Sequence, residues 1–273
     1  MDYQTLSAAD YVKGDVYARG KTNILYNVLN DPKIAIFQYG DTIANNDDQT
    51  FGKVPGKGAL NCEMSAICFD FMRRMKIPTH FVGVLSETES VVQKTQALPF
   101  EVIVRNAAAG SFIERFDPSM EAGTPLKCAL LEFTMKAKPK DFVVADWTPV
   151  ALGLITDAQA RQIVEYAELI NKSISKFLAE IGYYLVDFKL EFGITDDGCI
   201  AVIDEFSFDT FRLLNKATGK LVDKADLYGV EKSCDEWRAA LKMVSSQIGW
   251  WIDQQTWLNS ASPSELNNEI NWK

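Results

Sequence analysis

Histidine is nearly absent from these 273 residues; only His80 occurs. One imidazole excludes a His-rich metal centre and confines any Ser-His-Asp or Cys-His relay to a single place. The five cysteines (62, 68, 128, 199 and 234) are odd in number and widely scattered, with no CxxC pair. That spacing excludes a zinc framework or disulfide scaffold and reads as reduced thiols of a cytosolic protein. Long apolar runs are missing too, none approaching the roughly 20 residues of a membrane span. The opening MDYQTLSAADYVKGD lacks the apolar stretch of a signal peptide. Basic residues are the minority, 28 Lys and Arg against 37 Asp and Glu, for a formal charge of −9. That balance argues against nucleic-acid binding, which needs clustered cations. What is present is ordinary globular material, 47% apolar and 24% charged, enough for one large or two modest domains. The expectation is an acidic, cytoplasmic protein with no nucleic-acid or membrane partner.

Strand-prone segments at 16–28 and 34–40 come first, then a Gly-, Asp- and Pro-rich stretch at 46–58 that reads as a mobile loop. A helix is expected over about 61–75, stopped by Ile77-Pro78. Short strands follow at 80–85, 90–95 and 100–106, a short helix at 107–116 and a strand pair within 128–150. The clearest helix spans 157–181, with Thr156 and Gln159 as a capping box and Gly182 as its stop. After it comes the hairpin YYLVDFKLEFGI–TDDG–CIAVIDEF, a last helix at about 233–249 and a tail holding Trp250, Trp251, Trp257 and Trp272. Such a tail reads as a wrap around the core or a contact in a homo-oligomer. Strand runs interleaved with single helices predict an α+β fold with antiparallel or mixed sheets.

The hairpin carries the strongest chemical signal. Val186, Phe188, Leu190 and Phe192 alternate with Asp187, Lys189 and Glu191, so the charged three share one sheet face. Asp197-Gly198 is a preferred pair for a two-residue turn, and that turn would set Glu191 directly opposite Asp204. Paired carboxylates repel; a shared proton, Lys189 or a divalent metal would offset the repulsion. Oxygen-only ligands suit Mg²⁺, and a plain solvated face is the alternative. Beyond the second strand, Asp204, Glu205, Ser207, Asp209 and Arg212 crowd around phenylalanines, as a site wall or a solvated loop.

Two further segments stand out. Gly20-Lys21-Thr22-Asn23 joins two β-prone runs, either as a phosphate-covering hairpin or as a simple strand bend. Residues 102–111 leave an apolar strand through Arg105 and enter a helix through small residues to Ser111. That arrangement suits an anion, or plain tight packing. His80 is read as a structural histidine in preference to a catalytic base.

The strings VIVRNAAAGSFIERF (102–116), LVDFKLEFG (185–193) and DEFSFDTFRL (204–213) together resemble the SAICAR synthetase family, and weaker likeness runs from about Tyr17 to Gly249. The resemblance implies an ATP-grasp-like pair of α+β lobes with a helical C-terminal part. Residues 1–97 would form a nucleotide-covering lobe, 98–230 a lobe with the metal and substrate site, and 231–273 the C-terminal helix and tail. It implies an ATP-dependent ligase that joins L-aspartate to carboxyaminoimidazole ribonucleotide, with ATP and Mg²⁺ as cofactors. Glu191 and Asp204 would hold Mg²⁺; Gly20, Lys21, Asn23, Lys94 and Leu98 would meet the nucleotide. Arg105, Ser111, Ser207, Asp209 and Arg212 would bind substrate, and Asp187, Lys189 and Arg212 would face the reacting groups. The chain departs from the family pattern at Asn23 (the second Lys of GKxK), at 41–47, at Phe208, at 212–215 and near Tyr228. A related ligase or kinase on the same scaffold, or a nucleotide-binding protein without turnover, are the alternatives.

Overall fold

The structure, a computed structural model, describes residues 3–44, 50–138, 140–180 and 182–222. The first sheet is five-stranded and antiparallel. It contains β1 (Lys13–Arg19), β2 (Ile24–Val28), β3 (Asp31–Gln38), β6 (Phe81–Ser86) and β7 (Glu89–Gln93), in the order β1-β2-β3-β7-β6. Two-residue connections at Leu29-Asn30 and Glu87-Thr88 pin its hairpins, with Val28 opposite Asp31 and Ser86 opposite Glu89. A two-stranded ribbon of β4 (Thr42–Ala44) and β5 (Thr50–Lys53) leads into helix α1 (Lys57–Arg74). Of the 46–58 stretch expected as one loop, residues 46–49 lie outside the described residues, and 50–58 hold β5 and the first two residues of α1. Gly56, at φ 87°, precedes the helix and lets it begin four residues earlier than expected.

The second sheet contains β8 (Gln96–Ala107), β9 (Pro125–Met135), β10 (Phe142–Val144), β11 (Tyr183–Ile194), β12 (Ile200–Ile203), β13 (Phe211–Asn215) and β14 (Leu221–Val222). Its order is β10-β9-β8-β11-β13-β14, with β12 also paired to β11. Short helices α2 (Ser111–Phe116) and α3 (Thr148–Ala151) decorate it, and α4 (Asp157–Glu180) packs on β11 and β8. The capping box at the start of α4 forms as read: Gln159 N–H donates to Thr156 Oγ1 at 3.2 Å and Thr156 N–H to Gln159 Oε1 at 2.9 Å. Such a cap stabilises a helix by about 1 kcal/mol. Ile163, Ala167, Ile170 and Ile174 of α4 bury against Phe188, Leu190 and Phe192 of β11 in the main core cluster. That burial fixes β11's apolar face inward and presents Asp187, Lys189 and Glu191 on the other side. The expected helix at 233–249, the Trp-rich tail and Tyr228 lie outside the described residues.

The turn of the main hairpin differs from the expected one. Glu191 pairs with Ile203, one residue short of Asp204. Thr195 N–H bonds to Cys199 O at 3.0 Å and Gly198 N–H to Thr195 O at 2.9 Å. This is a three-residue loop over Asp196-Asp197-Gly198, a turn followed by Gly198 at φ 82°. The extra loop residue shifts the whole register by one.

Candidate active site

In the shifted register a regular strand would set Asp204 opposite Leu190, facing the core. The strand instead stops at Ile203, and Asp204 adopts φ 67°. This left-handed turn costs a non-glycine residue about 1–2 kcal/mol. It returns the carboxylate to the charged face, 3.6 Å from Lys189 Nζ. Glu191 and Asp204 thus reach the same cation by a route other than the expected cross-strand pairing.

The residue directly opposite Glu191 is Glu101 on β8. Three strands contribute to one polar face: Glu132 and Thr134 from β9, Glu101 and Arg105 from β8, and Asp187, Lys189 and Glu191 from β11. Lys136, just past β9, joins them. Lys189 Nζ lies 2.8 Å from Glu191 Oε1 and 3.6 Å from Glu101 Oε2, and Lys136 pairs with the other oxygen of Glu191. Burial pushes the Glu191 carboxyl up, but Lys189 and Lys136 outweigh burial and bring it down to about 2. Burial and the neighbouring Glu191 charge push Asp204 up to about 7, although 27% of its side chain stays exposed. Burial also raises Glu101, against Lys189. For Lys189, burial pulls down while Glu191, Asp204 and Glu101 hold its ammonium well above the usual lysine range. Among the described residues no three acidic, His or Cys side chains form a ready-made metal cage. Two carboxylates whose joint ionisation is resisted do fit a hard divalent ion completed by phosphate oxygens.

The opposite end of the face is rich in guanidinium. Arg105, 2% exposed, donates from Nε to Glu132 Oε2 at 2.6 Å and from Nη1 to Asp187 Oδ2 at 3.0 Å. Arg212 donates to Asp187 at 2.8 Å, and Arg115 pairs with the second oxygen of Glu132. The order Arg115–Glu132–Arg105–Asp187–Arg212 alternates in sign and leaves one net positive charge, with both end arginines about one-third exposed. Burial raises the Asp187 carboxyl, against Arg212 and Arg105. Ser111 Oγ accepts from Arg105 at 3.2 Å and Arg115 at 3.3 Å, so its own hydroxyl proton remains to be donated. Gly110 makes room here: a Cβ would meet the Arg212 Nη atoms at 2.9 Å. Asp187 and Glu191 are four residues apart, so the cationic and acidic ends lie roughly 13 Å apart along the strand, with Lys189 between them.

The remaining candidates sit elsewhere. Gly20 closes the β1–β2 turn through its N–H to Asn23 O at 2.9 Å, with Lys21 in that turn. Asn23 is buried: its Nδ2 donates to Glu205 Oε1 at 2.7 Å and its Oδ1 accepts from Gly40 N–H. It therefore ties the first sheet to Glu205. Ser207 Oγ donates to the other Glu205 oxygen at 2.5 Å, and Asp209 meets Lys57 and Asn61. Ser207 and Asp209 are thus parts of a buried polar cluster. Lys94 Nζ donates to Asn27 Oδ1 at 2.7 Å and lies 4.7 Å from the Tyr17 ring centre, while the Leu98 side chain points into the core. His80 is buried and packed edge-on against Phe69, and burial lowers it to about 4. Sequence reasoning missed Glu101, Glu132, Lys136, Arg115, Lys57 and Asn61. Glu132-Phe133-Thr134-Met135-Lys136 carries the same two-residue alternation as β11, a signal that was there to use.

The SAICAR synthetase family pattern matches residues 16–244. The chain is 37% identical over 226 residues to the phosphoribosylaminoimidazole-succinocarboxamide synthase of Coprothermobacter proteolyticus, covering 81% of this chain and 94% of that relative. The crystal structure of the phosphoribosylaminoimidazole-succinocarboxamide synthase from Ehrlichia chaffeensis is similar with a TM-score of 0.77 and 29% identity, over 84% of this chain and 98% of that one. A SAICAR synthetase in complex with ADP is similar with a TM-score of 0.75 and 30% identity, over 85% and 98%. The α+β, ATP-grasp-like architecture expected from sequence is the one observed.

Proposed function

The chain belongs to the SAICAR synthetase family, and from that premise we propose that it is an ATP-dependent ligase of purine biosynthesis. It joins L-aspartate to the carboxylate of carboxyaminoimidazole ribonucleotide and releases SAICAR, ADP and phosphate. The observation that supports this most is the single sheet face with a carboxylate end, a guanidinium end and Lys189 between them. The substrate carboxylate attacks the γ-phosphorus of ATP and ADP departs. The aspartate amine then displaces phosphate from the acyl phosphate, losing its proton to form the amide.

Phosphoryl transfer of this kind needs positioning and charge stabilisation more than a covalent nucleophile. Arg212, Arg115 and Ser111 hold the ribonucleotide phosphate, and Arg105, buried and bonded to Glu132, Asp187, the Ala109 carbonyl and Ser111, is the strut that aims them. Lys189 faces the transferring phosphoryl group. Glu191 and Asp204 hold Mg²⁺, which when bound neutralises charge on the nucleotide phosphates. Lys21 covers the phosphates, and the segment from Lys94 to Leu98 receives the adenine. The lobes 1–97 and 98–230 divide these tasks into nucleotide cover and reacting site, in a cytoplasmic enzyme of small-molecule substrates. Among the described residues no helix is long and apolar enough to cross a membrane.

The test is to incubate the protein with ATP, Mg²⁺, aspartate and carboxyaminoimidazole ribonucleotide and to follow ADP and SAICAR together. Equal amounts of both are expected. ADP without SAICAR would move the reading to a kinase, and no ADP at all would remove the ligase assignment.

A further inference from the structure

The turn at Asp204 needs something to hold it, and the structure assigns that task to His80. Two non-glycine residues among those described have positive φ. Lys76 ends a helix, where a left-handed residue is a common stop. Asp204 has no such excuse; it leaves a strand in the middle of the site. A conformation of this kind persists only where the surroundings over-determine it.

The surroundings of Asp204 do. His80 Nε2 lies 3.1 Å from the Asp204 carbonyl oxygen. A carbonyl only accepts, so Nε2 carries the hydrogen whatever the charge of the ring. The ring is itself fixed, 4% exposed, with Phe69 edge-on at 5.3 Å and Phe37 at 6.2 Å. Its backbone is stitched to both sheets: His80 N–H donates to Val202 O at 3.0 Å, and Gln93 N–H donates to His80 O at 2.7 Å. Thr79 bridges Val202 in parallel, and Val202 N–H donates to Pro78 O at 2.9 Å. Residues 78–80 therefore run beside β12, between β7 of the first sheet and the end of the hairpin. The next two residues are tied separately, Glu205 by Asn23 and Ser207, and Phe206 N–H by Ser65 Oγ at 3.3 Å. The Asp204 carbonyl itself is met by His80.

We infer that His80 is a positioning residue: its Nε2–H, clamped from the first sheet, holds the Asp204 peptide so that the carboxylate faces Lys189 and Glu191. This rests on the reading that Asp204 helps to hold Mg²⁺ at the nucleotide phosphates. It gives the lone histidine a task beyond filling the core, without any proton transfer.

The experiment uses the full chain and calorimetric ADP affinity with and without Mg²⁺. His80→Phe keeps an aromatic ring among aromatic neighbours but loses the donor. It is expected to cut the Mg²⁺-dependent gain in ADP affinity about tenfold, the size of one hydrogen bond, and to leave Mg²⁺-free affinity unchanged. His80→Gln, which carries an N–H, is expected to restore most of the gain. An undiminished gain in His80→Phe would overturn the inference, as would an equal loss in His80→Gln. Should His80→Phe not fold, His80→Met against His80→Gln decides on the same terms. Asp204→Asn tests the underlying metal reading: if it leaves the Mg²⁺ gain intact, that reading falls. The His80 inference is then judged by the crystal structure of His80→Phe, in which Asp204 is expected to leave the left-handed region. Asp204 still near φ 67° would overturn it.

Discussion

Lys189→Met tests the electrostatic core of the site. The ammonium lies 2.8 Å from Glu191 and 3.6 Å from both Glu101 and Asp204. At an effective dielectric of about 20 each contact amounts to roughly 5–6 kcal/mol of attraction. Desolvation of the four groups takes back most of that sum, and removing one member of a buried ionic cluster costs about 3–5 kcal/mol net. The lower end applies at neutral pH, because Asp204, already raised to about 7, takes up a proton in place of the lost cation. Roughly 3 kcal/mol in a chain of this size lowers Tm by about 6–12 °C.

The pH dependence has a definite sign. In the variant the carboxylates titrate higher when folded than when unfolded, so the folded form binds more protons and stability falls as pH rises. The gap to the parent protein narrows between about pH 8 and 6. Mg²⁺ replaces the missing positive charge, so saturating MgCl₂ raises the variant's Tm more than the parent's. Differential scanning calorimetry across pH, with and without MgCl₂, reads all three effects. An unchanged Tm, or equal Mg²⁺ stabilisation of both proteins, would refute the claim that Lys189 is the counter-charge of these carboxylates.

Arg105→Met leaves Glu132 and Asp187 buried without the cation they share and is expected to cost about 3–5 kcal/mol in urea unfolding. The double change with Glu132→Gln should recover part of that, a coupling that a cycle measures. Gly110→Ala sets a Cβ 2.9 Å from the Arg212 guanidinium at φ 52°. It is expected to raise KM for the ribonucleotide while KM for ATP stays put, in steady-state kinetics. His80 titrates near 4 when folded, below its ordinary 6.5, so the unfolded chain binds more protons in that window. Stability should therefore drop by about 3 kcal/mol as pH falls from 6.5 to 4, and His80→Phe should flatten that slope in denaturant titrations.

The local patterns proved sufficient for much of the architecture. Strict alternation over 187–192 determined which face of β11 is buried, because a two-residue period is a property of the strand alone. At the bulge between Leu185 and Asp187 it fails, and Leu185 enters the main core while Val186 packs with Ala107 and Ala109. Thr156, Gln159 and Gly182 determined where α4 starts and stops, because caps act within one turn. The same local reading set Arg105 with Ser111 and named Lys189, Glu191 and Asp204 as neighbours, though through a pairing the hairpin does not form. Arg212 joined Arg105 and Ser111 only through the family resemblance. One of the local reading's misses is itself local. Asp197-Gly198 suits a two-residue turn, yet Thr195 draws the loop to three residues by accepting the Cys199 N–H through Oγ1 at 3.1 Å.

Only the tertiary structure decided which strands became neighbours and in what register. Glu101 is 90 residues from Glu191 along the chain, and nothing in either segment announces that β8 will set one opposite the other. Glu132 likewise becomes the partner of Arg105 only once β9 pairs with β8. The near-absence of histidine excluded whole classes of chemistry from the sequence alone. What the one histidine does depends on the packing of residues 78–80 beside β12, since a side chain's partner is set by the meeting of distant segments.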